Sequence, residues 1–179
     1  MKKNEGIVIY PDESLRTECK PVTEVSQEVM ETVKKLQDRL LEADNGVGLA
    51  APQVGESERI MAIADNDHVH VYINPEIVEH EKEEKTFPQL VSEEGDREDF
   101  FEGCLSFPGL YGTVKRWLKI KVKYQVINEQ KELEQKETEL TGFMAIVFQH
   151  ELDHLNGVLF IDRIKDNDGE IYKEADGHL

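Results

Sequence analysis

Leu118, Ile120, Val122, Tyr124 and Val126 alternate with Lys119, Lys121, Lys123 and Gln125. A period of two over residues 117–127 predicts a strand with one apolar face. Asn128 to Gln130 supply a turn, and residues 132–140 a partner strand. Earlier in the chain the period changes. Val29, Val33, Leu36 and Leu40 recur at helical spacing and predict a helix over 26–43, with Ser26 as its N-cap. That apolar face belongs to the core. Further strands are expected near 58–65 and 69–79. Phe143, Ile146, Val147 and His150 again fall at helical spacing, so a last helix spans 142–156, with Thr141 at its start and Gly157 at its stop. No internal repeat is visible. Mixed, mainly antiparallel strands with few helices indicate an α+β domain whose last helix is central and enclosed by strands.

That last helix carries His150-Glu151-Leu152-Asp153-His154. Positions four apart stack on one helix face, so both imidazoles reach a single metal ion while Glu151 stays free to move protons. Zinc, iron or cobalt held in this way acidifies a water molecule and suits hydrolysis of a carbonyl compound. The plainer reading is an amphipathic helix with two partly exposed histidines. Against it, His150 falls on the buried stripe, and a buried imidazole pair needs a partner.

Two histidines leave such a site one protein ligand short. Glu174 lies twenty residues after His154, a spacing similar to that of the thermolysin-like peptidases. Cys104 lies in Glu102-Gly103-Cys104-Leu105-Ser106, where glycine permits close backbone approach. Taken alone, Cys104 reads as a buried structural thiol and Glu174 as a solvated tail residue. A third segment, Gly46-Val47-Gly48-Leu49-Ala50-Ala51-Pro52-Gln53, combines two glycines with an amide donor beside a rigid proline. By itself it reads as a tight turn after a helix.

Together, and in this order, the three segments resemble the motifs of peptide deformylases: a Gly-x-Gly-Leu-Ala-Ala-x-Gln loop, a Glu-Gly-Cys-Leu-Ser loop and a Gln-His-Glu-x-Asp-His helix. Every fixed position is present. The similarity continues through Ile73-Asn74-Pro75 and Tyr111 to Arg116 and covers most of residues 5–163. The resemblance implies removal of the N-terminal formyl group from formyl-methionine of nascent polypeptides, with release of formate. It implies Cys104, His150 and His154 as metal ligands and Glu151 as general acid and base. Gln53 and the backbone N–H of Leu105 would stabilise the oxyanion. Val47, Gly48 and Gly103 would line the substrate cleft, and Phe143, Ile146 and Val147 are candidates for the methionine pocket, with helix packing as their other role. The implied ion is Fe2+, with Zn2+, Ni2+ or Co2+ as other occupants that the ligand set also suits. Two other functions stay open: a broader metallopeptidase or amidase using Glu174, and a catalytically silent binding module.

Composition bounds the setting. The chain has 179 residues, of which 39% are hydrophobic, enough for one catalytic domain over 1–179. No apolar run approaches membrane-spanning length, and Asn4, Glu5 and Pro11-Asp12-Glu13 interrupt any signal-peptide core after Met1-Lys2-Lys3. With Cys104 assigned to metal, Cys19 has no partner, so a disulfide framework is not expected and the cytoplasm is the natural compartment. A net charge of −17 argues against DNA binding, and nothing points to a membrane. Residues 162–179 carry six acidic side chains against three basic ones, which gives little support for docking on the ribosome.

The chain also departs from the family pattern. Residues 80–100 form an acidic insertion with eight acidic and three basic side chains, read as a solvated loop, with a lid or partner-binding loop as the other reading. Residues 164–179 read as a short acidic tail. Phe107 and Tyr111 stand where small or basic residues are common, so both are candidates for reshaping the pocket. His68, His70, His80 and His178 lack ligand spacing and read as surface residues. Arg116 is expected to pair with Glu102.

Overall fold

A computed structural model of the chain describes residues 6–43, 46–65, 68–86, 90–91, 97–98 and 101–174. The alternation in 117–127 becomes the long strand pair at the far side of a five-stranded sheet. In chain order the strands are β1 (Gly48–Ala50), β2 (Ile60–Asp65), β3 (His68–His80), β4 (Leu90–Val91), β5 (Arg97–Glu98), β6 (Glu102–Gly103), β7 (Leu110–Gly112), β8 (Lys119–Ile127), β9 (Leu133–Thr141) and β10 (Ile171–Lys173). The helices are α1 (Gln27–Glu42), α2 (Gly142–Leu155) and α3 (Phe160–Asp166). The large sheet runs β1-β2-β3-β8-β9, all antiparallel; β10-β7-β6 form a second sheet, and β4 pairs with β5.

The large sheet lies between two helices, which explains why Ile60-Met61-Ala62-Ile63 is apolar without a break. Met61 and Ile63 pack toward α2 with Tyr72, Val122 and Phe148. Ile60 and Ala62 pack toward α1 with Val29, Leu36 and Leu40. A strand covered on both faces reads as a continuous apolar run rather than an alternation. Ser26 caps α1 as expected, its Oγ accepting from the Val29 N–H at 3.2 Å. Thr141 takes the N-cap position of α2 but makes no side-chain capping bond.

Ile73-Asn74-Pro75 marks a break in the β3–β8 register. Asn74 adopts φ +50°, and its side chain bonds both the N–H and the carbonyl of Val22, at 2.8 and 2.7 Å. Pro75 has no N–H to give the ladder, so a bulge is where it fits.

The tail differs from expectation. Its first part is built into the fold: Ile164 is buried with Phe107 and Phe160, and β10 pairs with β7. Gly112 makes room for this, since a Cβ there would meet the Glu170 carbonyl at 2.8 Å. Charge content alone concealed the apolar anchor at Ile164. Asp176 and His178 lie outside the described residues, as do Met1-Lys2-Lys3.

Much of the acidic insertion also lies outside them, including Phe87 and Pro88. Its stem is described, and it is tied down. Lys85 and Arg116 exchange backbone hydrogen bonds of 2.8 and 2.9 Å, and the Leu118 N–H donates to Glu81. His68, His70 and His80 are exposed, as expected, and His80 stacks on Trp117 at 3.8 Å.

Candidate metal centre

α2 is buried on almost every side, and that burial makes its polar residues informative. From Ala145 to Glu151 each residue is buried, as are Asp153, His154 and Leu155. His150 and His154 sit one turn apart with ring centroids 5.1 Å from each other. The turn after β6 carries Cys104 to the same place, closed by a bond from the Phe107 N–H to the Cys104 carbonyl at 2.9 Å. Cys104 Sγ lies 3.3 Å from His154 Nε2. Ligand atoms of Cys104, His150 and His154 all fall within 4.8 Å of one another. A soft sulfur and two imidazole nitrogens at this spacing fit one tetrahedral transition-metal ion with a position left open.

The surroundings favour positive charge between these atoms. Burial alone would lower the His150 pKa, yet its hydrogen bonds with Cys104 and Glu102 raise it well above the ordinary imidazole value. Burial and the neighbouring His150 instead hold His154 neutral, well below its usual range.

Around the ligands lies a buried ionic network. His150 Nδ1 is 2.9 Å from Glu102 Oε2. The expected pair is present: Arg116 Nε donates to Glu102 Oε1 at 2.9 Å, and Nη2 to Oε2 at 3.0 Å. Arg116 Nη1 also donates to Asp153 at 2.5 Å. Burial opposes ionisation of Glu102, but Arg116 and His150 outweigh it and bring the carboxyl down to about 2. Asp153 and its second partner, Arg163, were not singled out in the sequence. The Asp inside the histidine motif was the available signal.

Glu151 is different. Burial pushes its carboxyl up to about 7, and Oε2 has no hydrogen-bond partner. A nearby cation would lower that value again. Across from it stands Gly48, where a Cβ would come within 2.8 Å of Glu151 Cγ and Cδ. Gln53 is aimed by its own loop. Its Oε1 accepts from the Ala50 N–H at 2.9 Å, which turns Nε2 toward Cys104 Sγ, 3.4 Å away, and Ser106 Oγ, 3.3 Å away.

These groups surround a cavity of about 380 Å³. Val47, Gly48 and Gln53 form one wall, Gly103, Cys104 and Leu105 another. Phe143, Ile146 and Val147 line it from α2 beside His150 and Glu151, while His154 lies behind, 1% exposed. Apart from Glu174, each site residue named from the sequence is therefore in or against one space. Phe107 and Tyr111 line it too; Phe107 also packs against Tyr10 and Phe160, so its two readings hold together. Glu174 is elsewhere. It is exposed, its N–H bonds the Gly109 carbonyl at 2.9 Å, and it does not belong to the metal-capable group.

The family model for polypeptide deformylase matches residues 4–170. The chain belongs to the polypeptide deformylase family. It is 42% identical over 158 residues to the peptide deformylase of Thermotoga maritima, covering 88% of this chain and 85% of that protein. The Aquifex aeolicus peptide deformylase is likewise 42% identical, over 89% of this chain and 86% of its own length. Among solved structures, the Thermotoga maritima enzyme superposes with a TM-score of 0.73 at 41% identity, covering 88% of this chain and 95% of that one. A Plasmodium falciparum peptide deformylase in complex with an inhibitor gives 0.72 at 38% identity, covering 90% of each chain. The fold is thus the deformylase α+β arrangement around a central helix.

Proposed function

We propose that Cys104, His150 and His154 hold one divalent ion in a hydrolase that removes the N-terminal formyl group from formyl-methionyl peptides and releases formate. The observation that carries this assignment is the convergence of those three ligands beside a buried carboxylate that ligates nothing. Held by Cys104, His150 and His154, such an ion would supply Lewis acidity toward the formyl carbonyl and toward water.

Glu151 takes the proton from the attacking water and delivers it to the departing amine, which would otherwise have to leave as an anion. Its burial keeps the proton affinity close to neutrality. Gln53 Nε2 and the backbone N–H of Leu105 donate to the oxygen that gains negative charge, and such fixed donors are a large catalytic contribution. The peptide lies along Val47 and Gly48, where β1 is the edge of the large sheet, with Gly103 in the opposite wall, its missing Cβ giving room to the Tyr111 ring. Phe143, Ile146 and Val147 receive the methionine side chain. A formyl group carries only hydrogen on its carbonyl carbon, so a narrow site excludes larger acyl groups by size.

Fe2+ is the physiological ion of this reading, with Zn2+, Ni2+ or Co2+ able to occupy the same thiolate and imidazole set. The substrates are nascent chains in the cytoplasm, the compartment that suits a thiolate ligand and the free thiol of Cys19. No helix among the described residues is long and apolar enough to cross a membrane. The lysines of β8 do not make a free basic row. Lys119 pairs with Glu139 at 2.9 Å, and Lys121 with Glu79 and Glu137 at 3.4 and 3.5 Å. Diffusive encounter with the nascent chain fits this surface better than docking on ribosomal RNA.

Protein purified anaerobically with iron should release formate from formyl-Met-Ala and leave acetyl-Met-Ala intact. Equal cleavage of both, or cleavage of internal peptide bonds, would overturn the assignment.

A further inference from the structure

Asp153 is the buried carboxylate between two guanidinium groups. One belongs to Arg116, and the other reaches in from α3: Arg163 Nε donates to Asp153 Oδ2 at 3.0 Å and Nη2 to Oδ1 at 2.6 Å. The fork uses both carboxylate oxygens, which fixes the plane of Asp153 as well as its position. Oδ2 is shared with Arg116 Nη1, so Arg163 sets where Arg116 can sit. Arg116 in turn holds both oxygens of Glu102, and Glu102 Oε2 holds His150 Nδ1. The backbone of Arg116 is fastened separately, by its exchange of hydrogen bonds with Lys85. Only its guanidinium is left to be positioned by side chains.

The charges point the same way. Within the core, Glu102 and Asp153 bring two negative charges against the single positive charge of Arg116. Arg163, whose side chain is 40% exposed, supplies the fourth member and balances the set. Removing it leaves Asp153 to compete with Glu102 for one guanidinium. Arg116 would then shift toward Asp153 and loosen its grip on Glu102.

We propose that Arg163 is a positioning residue for the metal centre, acting through Asp153, Arg116 and Glu102 to orient the imidazole of His150. This rests on the assignment of His150 as a ligand. Partners one step behind a ligating histidine typically alter metal affinity about 10–100-fold when removed. Arg163 stands four links behind His150, with three residues between, so the lower end of that scale, roughly tenfold, is expected.

The test uses full-length protein loaded with Co2+, comparing wild type with Arg163→Gln and Arg163→Lys. Three quantities are read: the rate at which excess chelator strips the cobalt, the ligand-field bands of the bound ion, and the thermal melt of the metal-free protein. Arg163→Gln should release cobalt roughly tenfold faster, with shifted bands. Arg163→Lys keeps the charge but loses the fork, and should fall between wild type and the glutamine variant. Wild-type release and unchanged bands in Arg163→Lys overturn the proposal, because a charge alone would then suffice. Should Arg163→Gln fail to fold, the lysine variant decides by itself: faster release supports the proposal and wild-type release overturns it. A lower melting temperature with unaltered bands and release would make Arg163 a helix-packing residue only. If wild type fails to bind one cobalt per chain with a thiolate charge-transfer band, the ligand assignment fails instead, and that result is distinct from the others.

Discussion

The carboxylate of Glu151 occupies the space that a side chain on Gly48 would need. A Cβ at position 48 collides with Glu151 Oε1 and lies 2.8 Å from two of its carbons. Gly48 is at the start of β1 and pairs with Ile63, so its backbone cannot retreat without opening the sheet edge. Gly48→Ala should therefore displace the general base while leaving the three ligands in place. Formate release should fall by about 10²-fold or more, the scale of losing general acid–base catalysis, with metal content unchanged. Near-normal turnover would mean that the carboxylate has room to step aside.

Glu151→Gln isolates the proton. The amide keeps the volume of the side chain in a site where Oε2 makes no hydrogen bond, so little packing is lost. Turnover should drop by about 10²–10⁴-fold with one metal still bound per chain. Measured metal loss on a par with the loss of activity would show that Glu151 supports the ion rather than the proton transfer.

Glu102 predicts how stability depends on acid. Its carboxyl titrates at about 2 in the folded chain against an ordinary 4.5, so the folded state holds the ionised form more firmly than the unfolded state does. The stabilisation is complete above the unfolded value and is lost as pH falls from about 4.5 toward 2. His150, raised, is protonated in each state by then, while Glu151, raised from 4.5 to about 7, still titrates in the unfolded chain near the top of the window. That contribution is shared by both proteins compared below and cancels from their difference. Denaturant unfolding of metal-free wild type and Glu102→Gln should differ most above pH 4.5 and converge toward pH 2. A gap that stays constant across the window would sink the account.

The sequence announced the site more fully than the frame that holds it. Cys104, His150, His154, Gln53 and the glycines are legible because close backbone approach, ligand spacing and a spare carboxylate each restrict residue type. The long β8–β9 pair and α1 are legible for a different reason: each keeps one apolar face, so its period survives. Asp153 was visible as a fixed position of the histidine motif but carried no role, and Arg163 was silent, since a charged residue on a helix reads as solvent-facing until its partners are known. Ile164 and β10 were hidden in the same way, by a run of charges around one apolar anchor. The acidic insertion shows the converse limit. Its charge signalled exposure correctly for residues 82–86, but not that Glu81 would be half-buried or that its stem would pair with the backbone of Arg116.

Cys104→Ala and Glu174→Ala separate the two ligand sets that the sequence left open. Cys104 Sγ lies among the ligand atoms and 3.4 Å from the Gln53 amide, whereas Glu174 is exposed, beside Gly109, and is not one of the metal-capable group. Losing the thiolate removes one of three protein ligands and the negative charge that offsets the ion. Cys104→Ala should accordingly lose its metal during gel filtration with chelator, and its formate release should vanish with it. Glu174→Ala removes an exposed carboxylate, and exposed charges contribute little to stability, roughly 0–1 kcal/mol. It should retain one ion per chain and near-wild-type turnover. Metal analysis of both variants after the same column decides the matter: an ion kept by Cys104→Ala and lost by Glu174→Ala would put the third ligand on the C-terminal segment after all.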